Sequence, residues 1–68
     1  MVKTNALHGR EILLELIPIG SYMRVTAFDV ESMTEVSIQG PKNAMPSLLK
    51  NNALRRLEYV LRKNKIID

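Results

Sequence analysis

Residues 47–64 constrain the fold more than any other segment, because only they have the length and periodicity of a stable helix. Their apolar side chains recur at helical spacing on one side of a helical wheel: Leu49, Ala53, Leu54, Leu57, Val60 and Leu61. Mostly charged side chains occupy the other side. An apolar stripe of this kind has to pack against another element, so the preceding residues must supply a surface for it.

Three segments before this helix alternate apolar and polar residues as strands do, at residues 11–18, 22–30 and 34–39. Short loops connect them, which predicts an antiparallel meander in the order 1-2-3. The predicted fold class is therefore α+β. It is a three-stranded antiparallel β-meander with one C-terminal amphipathic helix packed on one face, in the order β-β-β-α.

The turn between the first two predicted strands sets their register. Gly20 followed by a serine suits a two-residue type II′ hairpin. That turn places Leu14 opposite Ala27 on the face that packs against the helix, and Leu13 opposite Phe28 on the other face. A slip of one residue would move half of the core side chains into water.

Local signals also predict the ends of the elements. Asp29 precedes the turn at residues 31–33, where its carboxylate can accept hydrogen bonds from the backbone of that turn. Asn43 is a candidate N-cap of the helix, with Pro46 in its first turn, and Ser47 is the alternative cap. Asn64 suits the C-terminal end.

The length of 68 residues predicts one domain, at residues 10–65, between a flexible N-terminal tail at 1–9 and a C-terminal tail at 66–68. A chain this short buries only about 60% of its unfolded surface, so its stability is marginal without further support. With no cysteine and one histidine, disulfides are excluded and neither a metal site nor a cofactor is expected. Oligomerisation remains as the source of support.

Composition also suggests a compartment. No apolar run approaches the roughly 18 residues that a membrane-spanning helix needs, and the first ten residues lack the apolar stretch of a signal peptide. The absence of cysteine fits a reducing environment. We therefore expect a cytoplasmic protein without a membrane partner.

One helix covers only one face of a three-stranded sheet, so the opposite face is predicted to be an interaction surface. Its apolar residues are Leu13, Ile17, Tyr22 and Phe28. Contiguous apolar patches on a protein surface usually mark an interface. We expect a small non-enzymatic interaction or structural module that forms a homodimer, through this face or through an open strand edge. The alternative is that a different protein binds this face.

Positive charge concentrates in the second part of the chain. Residues 42–68 carry seven Lys and Arg against two acidic residues, a net charge of +5, whereas residues 1–41 have a net charge of −2. The polar side of the predicted helix holds Arg55, Arg56, Arg62 and Lys63. This basic face predicts an alternative function, nucleic-acid (RNA) binding through phosphate contacts.

No residue pattern indicates catalysis. His8 falls in the predicted tail, where it is not held near a substrate. Glu11 and Glu15 share a strand face, but four residues separate them by about 13 Å, more than the roughly 5–9.5 Å of a glycosidase carboxylate pair. The three glycines are scattered and form no phosphate-binding loop. We therefore expect no enzyme activity.

Four segments of the chain are similar to a short bacterial family of uncharacterised proteins, found mainly in alphaproteobacteria. They lie at residues 10–15, 25–29, 34–41 and 53–61 (REILLE, VTAFD, TEVSIQGP and ALRRLEYVL). The resemblance covers about residues 10–63 and implies an autonomous domain of unknown function. That family often has Thr-Gly before Glu-Val, where this chain has Met33-Thr34. The resemblance therefore does not predict the conformation of the second turn. The resemblance transfers no functional residue.

Overall fold

The computed structural model describes Leu7 and residues 9–68 of the chain. Three strands, β1 (Ile12–Ile19), β2 (Tyr22–Asp29) and β3 (Thr34–Pro41), precede one helix, α1 (Pro46–Lys63). The strands form one antiparallel sheet in the order β1-β2-β3. The β-β-β-α meander predicted from the sequence is thereby confirmed.

The first hairpin has the predicted register. Leu14 pairs with Ala27 and Leu13 pairs with Phe28. Gly20 has a φ of 58°, which is the positive value that the first central position of a type II′ turn requires. The alternation of side chains then places every core residue of the hairpin on one face of the sheet, which we call the inner face.

Helix α1 packs on the inner face, mainly over β2 and β3. The core comprises Leu7, Val25, Ala27, Val36, Leu49, Ala53, Leu54, Leu57 and Leu61. The predicted helical stripe therefore supplies more than half of it. Inward residues of β1, such as Ile12 and Leu16, stay only partly buried, because the helix axis lies towards the other two strands.

Gly40 in β3 lets the helix approach the sheet closely. A Cβ at this position would collide with Cδ2 of Leu49, and Leu49 is a buried side chain. A side chain at residue 40 would therefore force Leu49 to shift within the core at this crossing.

We expect Gly40→Ala to lower the free energy of unfolding by about 1–2 kcal/mol. Overpacking costs about 1–3 kcal/mol, and the reduced entropy of the unfolded chain offsets part of that cost. Urea titration should show a lower midpoint with an unchanged slope. The matched control is Gln39→Ala, at the exposed neighbouring position, which should change stability by no more than about 0.5 kcal/mol. A midpoint for Gly40→Ala equal to that of the original chain would contradict the argument.

The N-terminal end of the helix differs from the sequence-based prediction. The N-cap is Met45, with φ −64° and ψ 129°, and no side chain caps the helix. Asn43 and Ser47 were therefore wrong as cap residues. The reason is Pro46, since a residue that precedes proline is disfavoured in the helical region and is held extended. Pro46 then occupies the first helical position, where a missing N–H costs nothing.

The C-terminal end of the helix closes with a Schellman motif. Lys65 adopts a left-handed φ of 60°, its N–H donates to the Arg62 carbonyl, and the Ile66 N–H donates to the Leu61 carbonyl at 2.8 Å. The chain then turns back and places Ile67 against the core. Part of the segment that we predicted as a C-terminal tail thus contributes to packing.

The N-terminal segment is described only in part. Leu7, within the predicted tail, belongs to the buried core, and its carbonyl accepts a hydrogen bond from the Arg10 N–H. Residues 1–6 and His8 lie outside the described residues, so the tail assignment there stays a prediction. Within Leu7 and residues 9–68, no helix has the length and apolar character needed to cross a bilayer.

Candidate functional site

The face of the sheet opposite α1, which we call the outer face, carries the residues predicted to form an interface. Leu13 is 52% exposed and lies directly across from Phe28, which is half-buried. No other helix or strand among the described residues packs on this face. The structure therefore brings Leu13 and Phe28 together as one exposed apolar pair.

A polar row divides this face. Thr26 lies between Glu15 and Ser37 in register, and the Thr26 and Ser37 hydroxyl oxygens are 3.1 Å apart, a hydrogen bond across the sheet. This row separates the Leu13–Phe28 pair from a second apolar group near the first turn. The alternation pattern identified the face, but it did not show this division.

The second apolar group contains the other two predicted interface residues. Tyr22 is half-buried and pairs with Ile19, and exposed Ile17 pairs with Arg24. Phe28 and Tyr22 are six residues apart on β2, a distance of about 20 Å. The four predicted interface residues thus share one face but form two groups rather than one patch.

The solvent face of α1 holds the predicted basic residues around one aromatic ring. Tyr59 is 57% exposed, and the guanidinium carbon of Arg56 lies 5.8 Å from the centroid of its ring, within cation–π range. Arg55 and Lys63 are each four positions from Tyr59 and are exposed, which places them on the same helix face.

Arg62 differs from the other cations of this face because it is already paired. Its Nη2 and Nε donate to Glu58 Oε2 at 2.9 and 3.2 Å, and its Nη1 contacts the carbonyl of Asp68. This exposed ion pair at i,i+4 spacing is worth only about 0.3–0.5 kcal/mol. Together with the Asp68 contact it uses three of the five N–H donors of the guanidinium, so Arg62 has fewer donors left for a phosphate than its neighbours.

A third cluster surrounds Asp29 at the end of β2. Asp29 is fully buried, and Arg10 binds it with two hydrogen bonds, Nε to Oδ1 at 3.1 Å and Nη2 to Oδ2 at 2.8 Å. The Ser32 N–H donates to Oδ2 at 3.1 Å, and the Ser32 hydroxyl donates to the same oxygen. The turn-capping role predicted for Asp29 is therefore confirmed.

The Arg10 guanidinium and the Ser32 donors all favour the charged form of this carboxyl group. They lower the pKa of Asp29 to about 2, with the Arg10 hydrogen bond as the largest cause, against the opposing effect of burial. Perturbed carboxylates are often functional, but here both oxygens are occupied by partners within the chain. The cluster is therefore suited to joining the segment before β1 to the second turn.

The partnership of Arg10 with Asp29 was not among the features predicted from the sequence, although a signal for it is present there. Ile12 pairs with Asp29, and Arg10 is two residues before Ile12, so strand alternation places it on the same face. Arg10 Nη1 also lies 3.4 Å from Glu31 Oε2 in the following turn. The register of β1 against β2, together with the opposite charges of Arg10 and Asp29, could have identified this ion pair from the sequence.

The residues considered for catalysis are not assembled into a site by the described part of the chain. Glu11 and Glu15 are both exposed, and His8 lies outside the described residues. Across Leu7 and residues 9–68, no group of three or more His, Asp or Glu side chains is arranged to hold a metal ion. The prominent features are thus the outer face and the solvent face of α1.

Comparison with known proteins identifies the domain but not its activity. A family profile described as a domain of unknown function, DUF6898, matches residues 9–64, which is most of the chain. No curated protein and no solved structure matches the chain significantly. Since the profile covers all three strands and the helix, the chain belongs to the DUF6898 family of domains of unknown function.

Proposed function

We propose that this domain is a small non-enzymatic interaction module that forms a homodimer through the outer face of its sheet. The observation that carries the proposal is the pairing of Leu13, 52% exposed, with Phe28 on a face that no described element covers. Moving a fully exposed large apolar side chain from water into an interface contributes about 1.5–3 kcal/mol. Roughly half of that is available from each of these two side chains, because both are already partly buried, and the sum per copy is still a large fraction of the net stability of a domain this small.

The dimensions of the face predict a weak dimer. Each strand has eight residues, so the face measures about 27 Å by about 14 Å, or about 400 Å² in projection. Two such faces bury less than a standard interface of roughly 1,200–2,000 Å². The polar row of Glu15, Thr26 and Ser37 would also have to be paired or hydrated. We therefore expect a dissociation constant in the micromolar range.

Sedimentation equilibrium over a roughly hundredfold dilution series tests the proposal. The molar mass should rise from monomer to dimer as concentration passes through the micromolar range. Leu13→Glu should weaken association at least about tenfold, because it places a charge in the apolar contact. The matched control is Leu48→Glu, whose side chain is equally exposed on α1 and should leave association unchanged.

Two results would count against this surface. A monomer at every concentration would remove self-association altogether. A dimer that Leu13→Glu leaves intact would instead favour pairing through the edge of β1 or β3, the two outer strands of the described sheet.

Nucleic-acid binding through the basic face of α1 is the second candidate function. Its specific support is the grouping of Arg55, Arg56 and Lys63 around exposed Tyr59. The solvent face of α1 and the outer face lie on opposite sides of the domain, so the two activities are compatible. An RNA gel shift at low salt that Arg55→Glu with Arg56→Glu abolishes would support this candidate, and the absence of any shift would remove it.

We also propose a setting for the domain. A chain without cysteine suits the reducing cytoplasm. The segments REILLE and TEVSIQGP, at residues 10–15 and 34–41, support an alphaproteobacterial source. Fractionation of a cell that expresses the native gene would test the compartment, and recovery of the protein outside the cytoplasm would contradict it.

A further inference from the structure

One aromatic ring lies at the centre of the basic surface of α1. Arg55 and Arg56 precede Tyr59 by four and three positions, and Lys63 follows it by four, so all three border the ring on the same helix face. Tyr59 is 57% exposed. The exposed ring and the three cations therefore form one continuous surface on the solvent side of α1.

Three of these cations are free to meet a ligand. Among the described residues, no ion pair involves Arg55, Arg56 or Lys63, whereas Arg62 is held by Glu58. Arg56 lies over the Tyr59 ring at 5.8 Å, which restrains the ring on one side. The rest of the exposed ring stays open to solvent.

We propose that this face binds single-stranded nucleic acid, with a base stacked on Tyr59 and neighbouring phosphates contacted by Arg55, Arg56 and Lys63. The proposal rests on the second candidate function above and assigns its ligand class. Stacking on a side chain requires an unpaired base, which a duplex does not present. A ring bordered by cations is the arrangement with which proteins bind single strands without sequence preference.

Charge complementarity favours this polyanion over a protein partner. Residues 42–68 carry a net charge of +5, and their two acidic residues are Glu58 and Asp68. Glu58 is neutralised by Arg62. From Arg55 to Lys63 the cations extend over about 12 Å of the helix axis, so contact with a flexible strand on both sides of the ring is within reach.

Fluorescence anisotropy with a labelled oligouridylate of about 16 nucleotides tests the stacking contact. Tyr59→Ala should weaken binding by about 5- to 150-fold, because base–aromatic stacking contributes that much per base. Tyr59→Phe keeps the ring and should bind like the original chain. The matched control is Leu48→Ala, an exposed side chain three helical turns away on the same face, which should have no effect.

The salt dependence tests the phosphate contacts independently. Three phosphate contacts to a single strand predict a slope of log K against log salt of about −2 between roughly 50 and 200 mM salt. Arg55→Gln with Lys63→Gln should reduce this slope by about 1.4. The control Lys42→Gln removes a charge near the first turn, where its N–H contacts the Ser21 carbonyl, and should leave the slope nearly unchanged.

The results distinguish failure of this inference from failure of the second candidate function. If neither the oligouridylate nor a duplex of equal length binds at low salt, nucleic-acid binding fails and this inference fails with it. If the duplex binds as tightly as the single strand and Tyr59→Ala has no effect, nucleic-acid binding stands but the single-strand assignment is overturned. Equal, Tyr59-independent binding to anionic lipid vesicles would also overturn it. Melting curves should show that every variant is folded.

Discussion

Replacing Leu57 with alanine should bring the free energy of unfolding close to zero, so that about half of the protein is unfolded at 25 °C. Leu57 and Leu61 are the two largest fully buried side chains of the helix. Leu57 lies near the middle of the apolar stripe that packs on the sheet. Leu-to-Ala changes at such sites cost about 3–5 kcal/mol, because they lose buried surface and leave a cavity. A domain of this size has a net stability of only about 3–5 kcal/mol.

Circular dichroism and urea titration of Leu57→Ala would measure this effect. Leu48→Ala is the matched control, since the same substitution at an exposed position of the same helix should change stability by no more than about 0.5 kcal/mol. A Leu57→Ala protein that stays folded with a loss below about 1 kcal/mol would mean that the helix contributes little to the core.

Asp29→Asn should lower the free energy of unfolding by about 2–3 kcal/mol at neutral pH. The substitution removes a buried carboxylate that accepts two hydrogen bonds from Arg10 and two from Ser32. Hydrogen bonds to charged groups contribute about 1.5–3 kcal/mol, and the guanidinium would keep only its longer contact with Glu31 at 3.4 Å. Urea titration at pH 7 measures the difference.

The same pair predicts how stability depends on pH. The pKa of Asp29 is about 2 in the folded protein against 3.8 for the free side chain. Because the folded pKa is the lower one, the stabilisation is fully present above the unfolded pKa. It is lost as the pH falls from about 4 to about 2. The original chain should therefore lose stability across this window, and Asp29→Asn should lose less.

Two further variants separate this ion pair from general acid effects. Glu35→Gln removes an exposed carboxylate and should follow the pH profile of the original chain. Arg10→Met removes the largest cause of the lowered pKa, so the Asp29 carboxyl should titrate at a higher pH in NMR spectra. An unchanged pH profile for Asp29→Asn would show that other groups control the acid response.

Elements governed by local chemistry were predictable. Gly20 specified the first turn, and alternation on either side of it specified which side chains face α1. The helical stripe between Leu49 and Leu61 identified the element that covers the sheet. Each of these signals acts within a few residues, where backbone geometry and side-chain period dominate the free energy.

Competition between local signals explains the misplaced helix start. Asn43 and Ser47 are both good capping residues, but Pro46 holds Met45 extended and begins the helix itself. The steric restriction that Pro46 imposes on Met45 therefore has a larger effect on the helix start than the preference for a capping side chain. This outcome is local, and a stricter weighting of proline would have anticipated it.

Contacts between distant residues were decided only by the tertiary structure. Arg10 meets Asp29 across a separation of 19 residues, Leu7 enters the core, and Ile67 returns to it after the helix. The polar row through Thr26 divides the outer face. Arg62 is paired with Glu58, whereas the three other cations around Tyr59 have no ion pair within the part of the chain that the structure describes. Periodicity determines which face a residue occupies, whereas its partner depends on how strands and helix are placed relative to one another. The sequence pattern alone therefore specified the fold and its two exposed faces, while packing decided which side chains on those faces are available to bind.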